Sequence, residues 1–252
     1  MSAHAVEDTA VLLGRSLRHI TRSPDTIITT AITPIAMMLL FVYVFGGAIR
    51  TGTGSYVTYL LPGIMLIAIA SGIAYTALRL FTDMTSGVFE RFHSMPIARS
   101  SVLWAHVLTS LVANMITVVI IVLVALVMGF RSSASLLSWL AVAGILALFT
   151  LALTWLAVIA GLTASSVDGA SAFSYPLVFL PFVSSAFVPT ATMPALVRAF
   201  AEHQPITPIV NAIQDLLAGR PVGSVGVPLA WCVGILVVAY VVAMAAYRRR
   251  IA

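Results

Sequence analysis

The chain contains no lysine, and all 13 of its basic residues are arginine. A phosphate-cradling loop of the G-x-x-x-x-G-K-[ST] kind needs a lysine to reach the phosphates, so this chain cannot bind ATP in that way by itself. Charge of either sign is scarce. A soluble domain carries roughly 25% charged residues, whereas here 8% are charged and 61% hydrophobic, with a mean hydropathy of +1.09. Such a composition belongs in a bilayer. The single cysteine, Cys232, lies in an apolar run, which excludes an internal disulfide and a cysteine metal cluster. The histidines His4, His19, His93, His106 and His203 show no H-E-x-x-H spacing, and no G-x-S-x-G turn occurs; catalysis on this chain finds no constellation to carry it. Charges are also missing from the middle of the apolar runs. Each would cost about 2.5–3.5 kcal/mol on insertion scales and would mark an ion path, so a proton- or sodium-coupled transporter with acidic sites is disfavoured. The net charge of +5 does not point to nucleic acid, because the arginines are scattered between hydrophobic runs, as a positive-inside bias distributes them.

What is present is a series of apolar stretches of the length a membrane helix needs, about 20 residues. The fold class they predict is an all-α membrane protein, one domain over 1–252, with six transmembrane helices at about 26–45, 56–80, 102–128, 136–162, 171–188 and 227–247. Ahead of them, over 1–25, Val6, Ala10, Leu13, Leu17 and Ile20 share one helical stripe, with Arg15, Arg18 and Arg22 opposite. That pattern predicts an amphipathic helix lying in the headgroup layer; a solvated leader is the bland alternative. Glu7 and Asp8 precede any long apolar run, unlike a secretory signal, so the N-terminus is expected to be retained. Ser23 and Pro24 read as the N-cap and first position of the first span. Gly46-Gly47 ends that span, Tyr56 and Tyr59 open the second as interfacial anchors, and Pro62-Gly63 should bend it.

Between the fifth and last spans, over 189–220, Pro194 opens a helix, Pro205 and Pro208 interrupt it, and Gly219 closes the second piece. Pieces of about ten residues are about 15 Å long and cannot cross a core of roughly 30 Å. They read as an external re-entrant pair of broken helices, or as a pair flat on the surface. Nine arginines, Arg15, Arg18, Arg22, Arg79, Arg91, Arg99 and Arg248 to Arg250, lie on the side of the termini, against Arg50, Arg131, Arg198 and Arg220 on the other. The bias puts both termini in the cytoplasm.

The polar loop over 82–101 is then cytoplasmic. Met84, Val88, Phe92 and Met95 fall on one stripe, with Asp83, Ser86, Glu90, His93 and Ser94 opposite, and Arg91 at the stripe's edge must snorkel or meet a partner. This pattern suits a docking helix and an amphipathic connector on lipid equally, and His93 alone reads as a surface residue. Asn114, the clearest polar group inside a span, reads as an interhelical hydrogen bond more than a substrate contact.

Five segments carry a resemblance: SPD at 23–25, YVFGGAI at 43–49, YLLPGI at 59–64, ERFHSMPIARS at 90–100 and SSAFVPTATMPALVRAFAEHQPITPIVNAI at 184–213. In this order they are similar to the ABC-2 family of permeases, and within it to the daunorubicin-resistance type of drug-export permease. The resemblance implies a six-span half-transporter of the plasma (inner) membrane. It pairs with a second permease copy or a paralogue, and with separate ABC ATPase subunits that hold ATP and magnesium; no cofactor sits on this chain. It further implies that Glu90, Arg91, Phe92, His93 and Pro96 dock on the ATPase as a coupling helix, together with Arg15, Arg18 and Arg22 of the N-terminal helix. The external helices would cap an exit along the dimer seam between the first, second and fifth spans, and Asn114, Phe179 and Phe182 are the candidates for the substrate path. The implied cargo is an amphipathic drug or lipid. A lipid-linked polysaccharide or cell-wall polymer, or a scaffold role without transport, are the alternatives.

Overall fold

Hydrocarbon offers backbone N–H and C=O groups no partner but each other, so a chain this apolar must coil into helices. The computed structural model describes residues 25–47, 55–86, 99–221, 223 and 225–251, and every regular element among them is helical. Helix α1 (Asp25–Leu40) continues through one π turn, Phe41–Phe45, and stops at Gly46 and Gly47. Helices α2 (Tyr56–Thr85), α3 (Arg99–Val127) and α4 (Leu136–Thr163) follow, and α9 (Gly226–Ile251), numbered after the short helices between, ends the chain. α2 has 30 residues, about 45 Å at 1.5 Å per residue, and so outreaches the hydrocarbon core. Five helices are long and apolar enough to cross a membrane. The predicted amphipathic helix over 1–25 and the coupling loop's central residues lie outside the described residues, as do Ser23 and Pro24.

The predicted fifth span, 171–188, is not one helix. Two six-residue helices, α5 (Val167–Ala172) and α6 (Ser174–Phe179), are followed by a 3-10 turn, Leu180–Val183, and then by non-helical backbone. Pro176 and Pro181 cause the break, since each lacks an N–H and crowds the preceding turn. The apolar stretch Val167–Val183 has the length of the shortest membrane helices, about 17 residues. Five long helices and one short broken segment therefore stand where six spans were expected.

Beyond it come α7 (Ala195–His203) and α8 (Ile206–Leu217). Pro194 and Pro205 stand just before them as predicted, but Pro208 interrupts nothing: it lies in the first turn of α8, where its N–H would have no helical acceptor. Gly219, at φ +66°, takes the left-handed turn that ends α8. The orphan carbonyls there are capped from the loop before α4, with Ser132 Oγ donating to Leu217 O and Ser133 Oγ to Ala218 O, both at 2.8 Å. These bonds place α8 at the end of the bundle where α4 begins.

α2 is the most enclosed of the long helices and α9 the least. Around α2 pack α1, α3, α4, the broken α5–α6 segment and α8, and its side chains from Leu60 to Ala70 are buried without a gap. Small residues permit this, as in membrane bundles generally. A Cβ on Gly63 would collide with Ala186 Cβ, and one on Gly161 of α4 would lie 2.8 Å from Ala77 O and 3.1 Å from Leu80 Cβ. A second cluster joins α4 to α9, where Trp155 meets Trp104 at 5.2 Å and Tyr240 at 4.8 Å, both edge-on. Outward, Ile116, Val119, Leu123 and Val127 make an exposed stripe along α3, and Val233, Val237 and Val241 another along α9; these faces suit hydrocarbon.

Gly161→Ala should destabilise the protein by about 1–3 kcal/mol, the usual scale of overpacking, because the clash is with backbone. Gly144→Ala, where a Cβ meets nothing within 4 Å, should be neutral or mildly stabilising. Thermal unfolding of the two variants in one detergent checks both.

Candidate functional site

Polar groups gather at two places in this apolar bundle, both of them on α2. The first is its seam with α3. Thr76 Oγ1 donates to Ser110 Oγ at 2.8 Å, Ser110 Oγ lies 3.3 Å from Thr154 Oγ1 of α4, and Asn114 Nδ2 donates to Ser110 O at 2.9 Å. All four side chains are buried. Asn114 bonds within its own helix, and it is the Ser110 hydroxyl that links the helices. Asn114 Oδ1 has no hydrogen-bond partner and occupies the space a Cβ would take on Gly72 of α2, a close approach only glycine allows. Toward the other end of the seam, His106 Nε2 lies 3.2 Å from Asp83 Oδ2. Both residues flank the polar loop, yet neither residue's type nor its spacing announces the pair.

The second place is the opposite end of α2, against the non-helical segment 184–188. Tyr59 Oη donates to Ser185 O at 2.7 Å and Tyr56 Oη to Phe187 O at 3.3 Å. Expected at the membrane surface as anchors, the two tyrosines are instead buried, because the carbonyls of a broken segment need donors. α8 supplies the rest. Ser185 Oγ donates to Asn211 Oδ1 at 2.6 Å and Ser185 N–H to Thr207 Oγ1 at 3.3 Å, while Gln214 Nε2 donates to Tyr59 O at 2.8 Å. Gln204 Nε2, between α7 and α8, donates to Val183 O at 2.7 Å. The result is a hydrogen-bonded cap. The only sequence signal for it was a few polar residues on an otherwise apolar short helix, and those do not name their partners.

Beside the cap lie the predicted Phe179 and Phe182. Phe182 stacks on Phe187 at 4.7 Å and lies 6.2 Å from Phe179, while Phe41 reaches in from the end of α1 to 4.9 Å from Phe187. Phe179 is 64% exposed. These two candidates come together; Asn114, the third, sits apart in the buried seam. An apolar groove of about 410 Å³ opens between α4 and the α5–α6 segment, lined by Leu156, Ile159, Ala160, Phe173, Pro176 and Leu177 among others. On α7, Arg198 Nε donates to Glu202 Oε1 at 2.7 Å and holds that carboxyl below its ordinary range. No group of three or more histidine, cysteine or acidic side chains capable of holding a metal occurs among the described residues.

The predicted docking residues Glu90, Arg91, Phe92, His93 and Pro96, and Arg15, Arg18 and Arg22, lie outside the described residues. The loop joins the end of α2 at Thr85 to the start of α3 at Arg99, at the end of the bundle where α4 stops and where α9 carries Arg248 and Arg249.

Comparison with known proteins gives this arrangement a family. A profile described as ABC-2 type transporter matches residues 7–217. A "daunorubicin resistance ABC transporter permease protein" of Streptomyces coeruleorubidus is 29% identical over 253 residues, covering 98% of this chain and 88% of that protein. The "probable doxorubicin resistance ABC transporter permease protein" of Mycobacterium tuberculosis is 27% identical over 250 residues, 97% of this chain and 89% of its own length. With the profile covering most of the sequence and the relatives nearly all of it, the chain belongs to the ABC-2 type transporter family.

Proposed function

We propose that the chain is the membrane subunit of an ATP-driven exporter that moves amphipathic drugs or lipids out of the cell, powered by a separate ATPase subunit. The observation that carries this reading is the end-to-end likeness to permeases named for daunorubicin and doxorubicin resistance, joined to the lack of any lysine to build a P-loop. ATP and magnesium then belong to the partner. The short segment Val167–Val183 counts as a sixth crossing, which puts both termini on the cytoplasmic side with the nine-arginine face. Glu90, Arg91, Phe92, His93 and Pro96, with Arg15, Arg18 and Arg22, meet the ATPase from that side. A second copy or a paralogue completes the path.

At the other face, the cap over 184–188, with α7 and α8, closes the exit. Its bonds are between neutral groups, each worth about 0.5–1.5 kcal/mol net, so they can be broken one at a time as the exit opens. Phe179 and Phe182, next to the cap, offer aromatic faces to a flat or greasy cargo. An apolar path without mid-span charge suits a substrate that partitions into the membrane, and gives a polymer no continuous hydrophilic channel.

Glu90→Arg should leave membrane insertion intact and lower ATP-driven export about tenfold, a loss of about 1.4 kcal/mol of coupling, by inverting a charge at the docking face. Transport by inverted vesicles carrying permease and ATPase measures it, and a wild-type rate would place docking elsewhere. The purified chain alone should hydrolyse no ATP; robust hydrolysis by an ATPase-free preparation would overturn the two-subunit reading.

A further inference from the structure

The structure assigns a positioning role to the Asp83–His106 pair: it ties the cytoplasmic ends of α2 and α3 into one body, so that force applied to the loop between them moves both spans together. The inference rests on reading the chain as an ATP-driven export subunit. Its grounds are local. Asp83 lies in the last turn of α2, where the helix dipole presents its negative end and a carboxylate is disfavoured. A carboxylate kept there gains from a compensating group, and among the described residues His106, on the facing helix at 3.2 Å, is the ion-pair partner. The pair is only part-buried, with side-chain exposures of 33% for Asp83 and 13% for His106, so it sits at the rim of the packed seam rather than free in water.

Among the described residues the pair is also the outermost rung of a ladder. Going inward, Thr76 meets Ser110 and Gly72 meets Asn114, with numbers falling on α2 as they rise on α3, as antiparallel helices require. At Ser110 the ladder reaches α4 through Thr154. The inner rungs fix the seam at mid-height, and nearer this end Leu80 of α2 shares a buried apolar cluster with Leu103 and Val107 of α3. Apolar packing has no preferred direction, and the outer pair adds a directional tie at its rim. A displacement delivered at the loop is then transmitted along both helices instead of being lost in their separation.

The test uses permease reconstituted with its ATPase and measures doxorubicin moved per ATP hydrolysed. His106→Ala and Asp83→Ala should keep the ATPase bound and hydrolysing while that ratio falls about fivefold or more, the lower end of coupling between sites. The exchanged pair, Asp83→His with His106→Asp, should restore it. An unchanged ratio in the alanine variants, or an exchanged pair that fails to restore a lost ratio, overturns the role. A second measurement needs no transport. Spin labels on Ser86→Cys and Leu108→Cys, with Cys232 wholly buried and so unlabelled, should report a narrow distance distribution that broadens with His106→Ala and narrows again with the exchange. No broadening overturns the tie directly. A wild-type complex that moves no substrate would instead sink the export reading, and the distances alone would then decide whether the pair holds the helix ends.

Discussion

Everything in this bundle depends on one helix being satisfied on all sides. Hydrocarbon tolerates irregular backbone only where protein side chains supply the missing hydrogen bonds, and the broken segment after α6 leaves several carbonyls without helical donors. α2 meets that need at one end with Tyr56 and Tyr59, and α8 and Gln204 meet it from the other side. Without α2 at the centre the carbonyls of 184–188 would lose the Tyr56 and Tyr59 donors. The same helix packs against α1, α3 and α4; Gly72 admits Asn114 of α3, Gly161 of α4 admits the backbone of Ala77, and Gly63 admits Ala186 of the broken segment, each where a Cβ would stand.

This explains why polar side chains are few but clustered. Lipid chains are as apolar as leucine, so hydrophobicity gives membrane helices little reason to choose one neighbour over another. Small residues and hydroxyls make that choice. Ser110 illustrates it: one hydroxyl bonded to Thr76 and within reach of Thr154 relates three helices at once. The Gly161→Ala prediction tests the steric half of the same argument, since a methyl group there meets the backbone of Ala77 rather than a side chain that could move aside.

The long helices were legible because a run of apolar residues is all that a membrane crossing requires, and α2, α3, α4 and α9 fall close to where hydropathy put them. The break within 171–188 was not legible for the same reason: hydropathy sums apolar residues without asking whether the backbone can stay helical through Pro176 and Pro181. Tyr56 and Tyr59 were assigned to the membrane surface because aromatic residues at a helix start commonly lie there. Their true partners are more than 120 residues away in sequence, and no local pattern encodes that. Asn114 was expected to hydrogen-bond across helices; its amide instead bonds Ser110 of its own helix, and only its carbonyl oxygen meets the neighbouring helix, at Gly72, a contact no sequence pattern shows. The docking residues rest on resemblance and on charge, and the structure adds only which helix ends their loop joins.

A physical asymmetry between the two ends of α2 bears on how such a protein could work. At the capped end the contacts are many and neutral, and each is individually weak. At the other end, Asp83 meets His106 at 3.2 Å, at the edge of the packed region, and that contact joins α2 to α3. The span between them is a continuous 30-residue helix with its middle turns fully buried, and a packed helix does not bend or compress readily because interiors are as dense as organic crystals. On the export reading, a shift imposed at the Asp83 end would travel along this helix to the turn that holds Pro62, beside Tyr56 and Tyr59, and reach the cap there. Weak, separable bonds are what such a shift can break in turn, whereas a single strong contact would resist until it failed. The distribution of polar groups along α2 thus favours a rigid lever with a yielding far end.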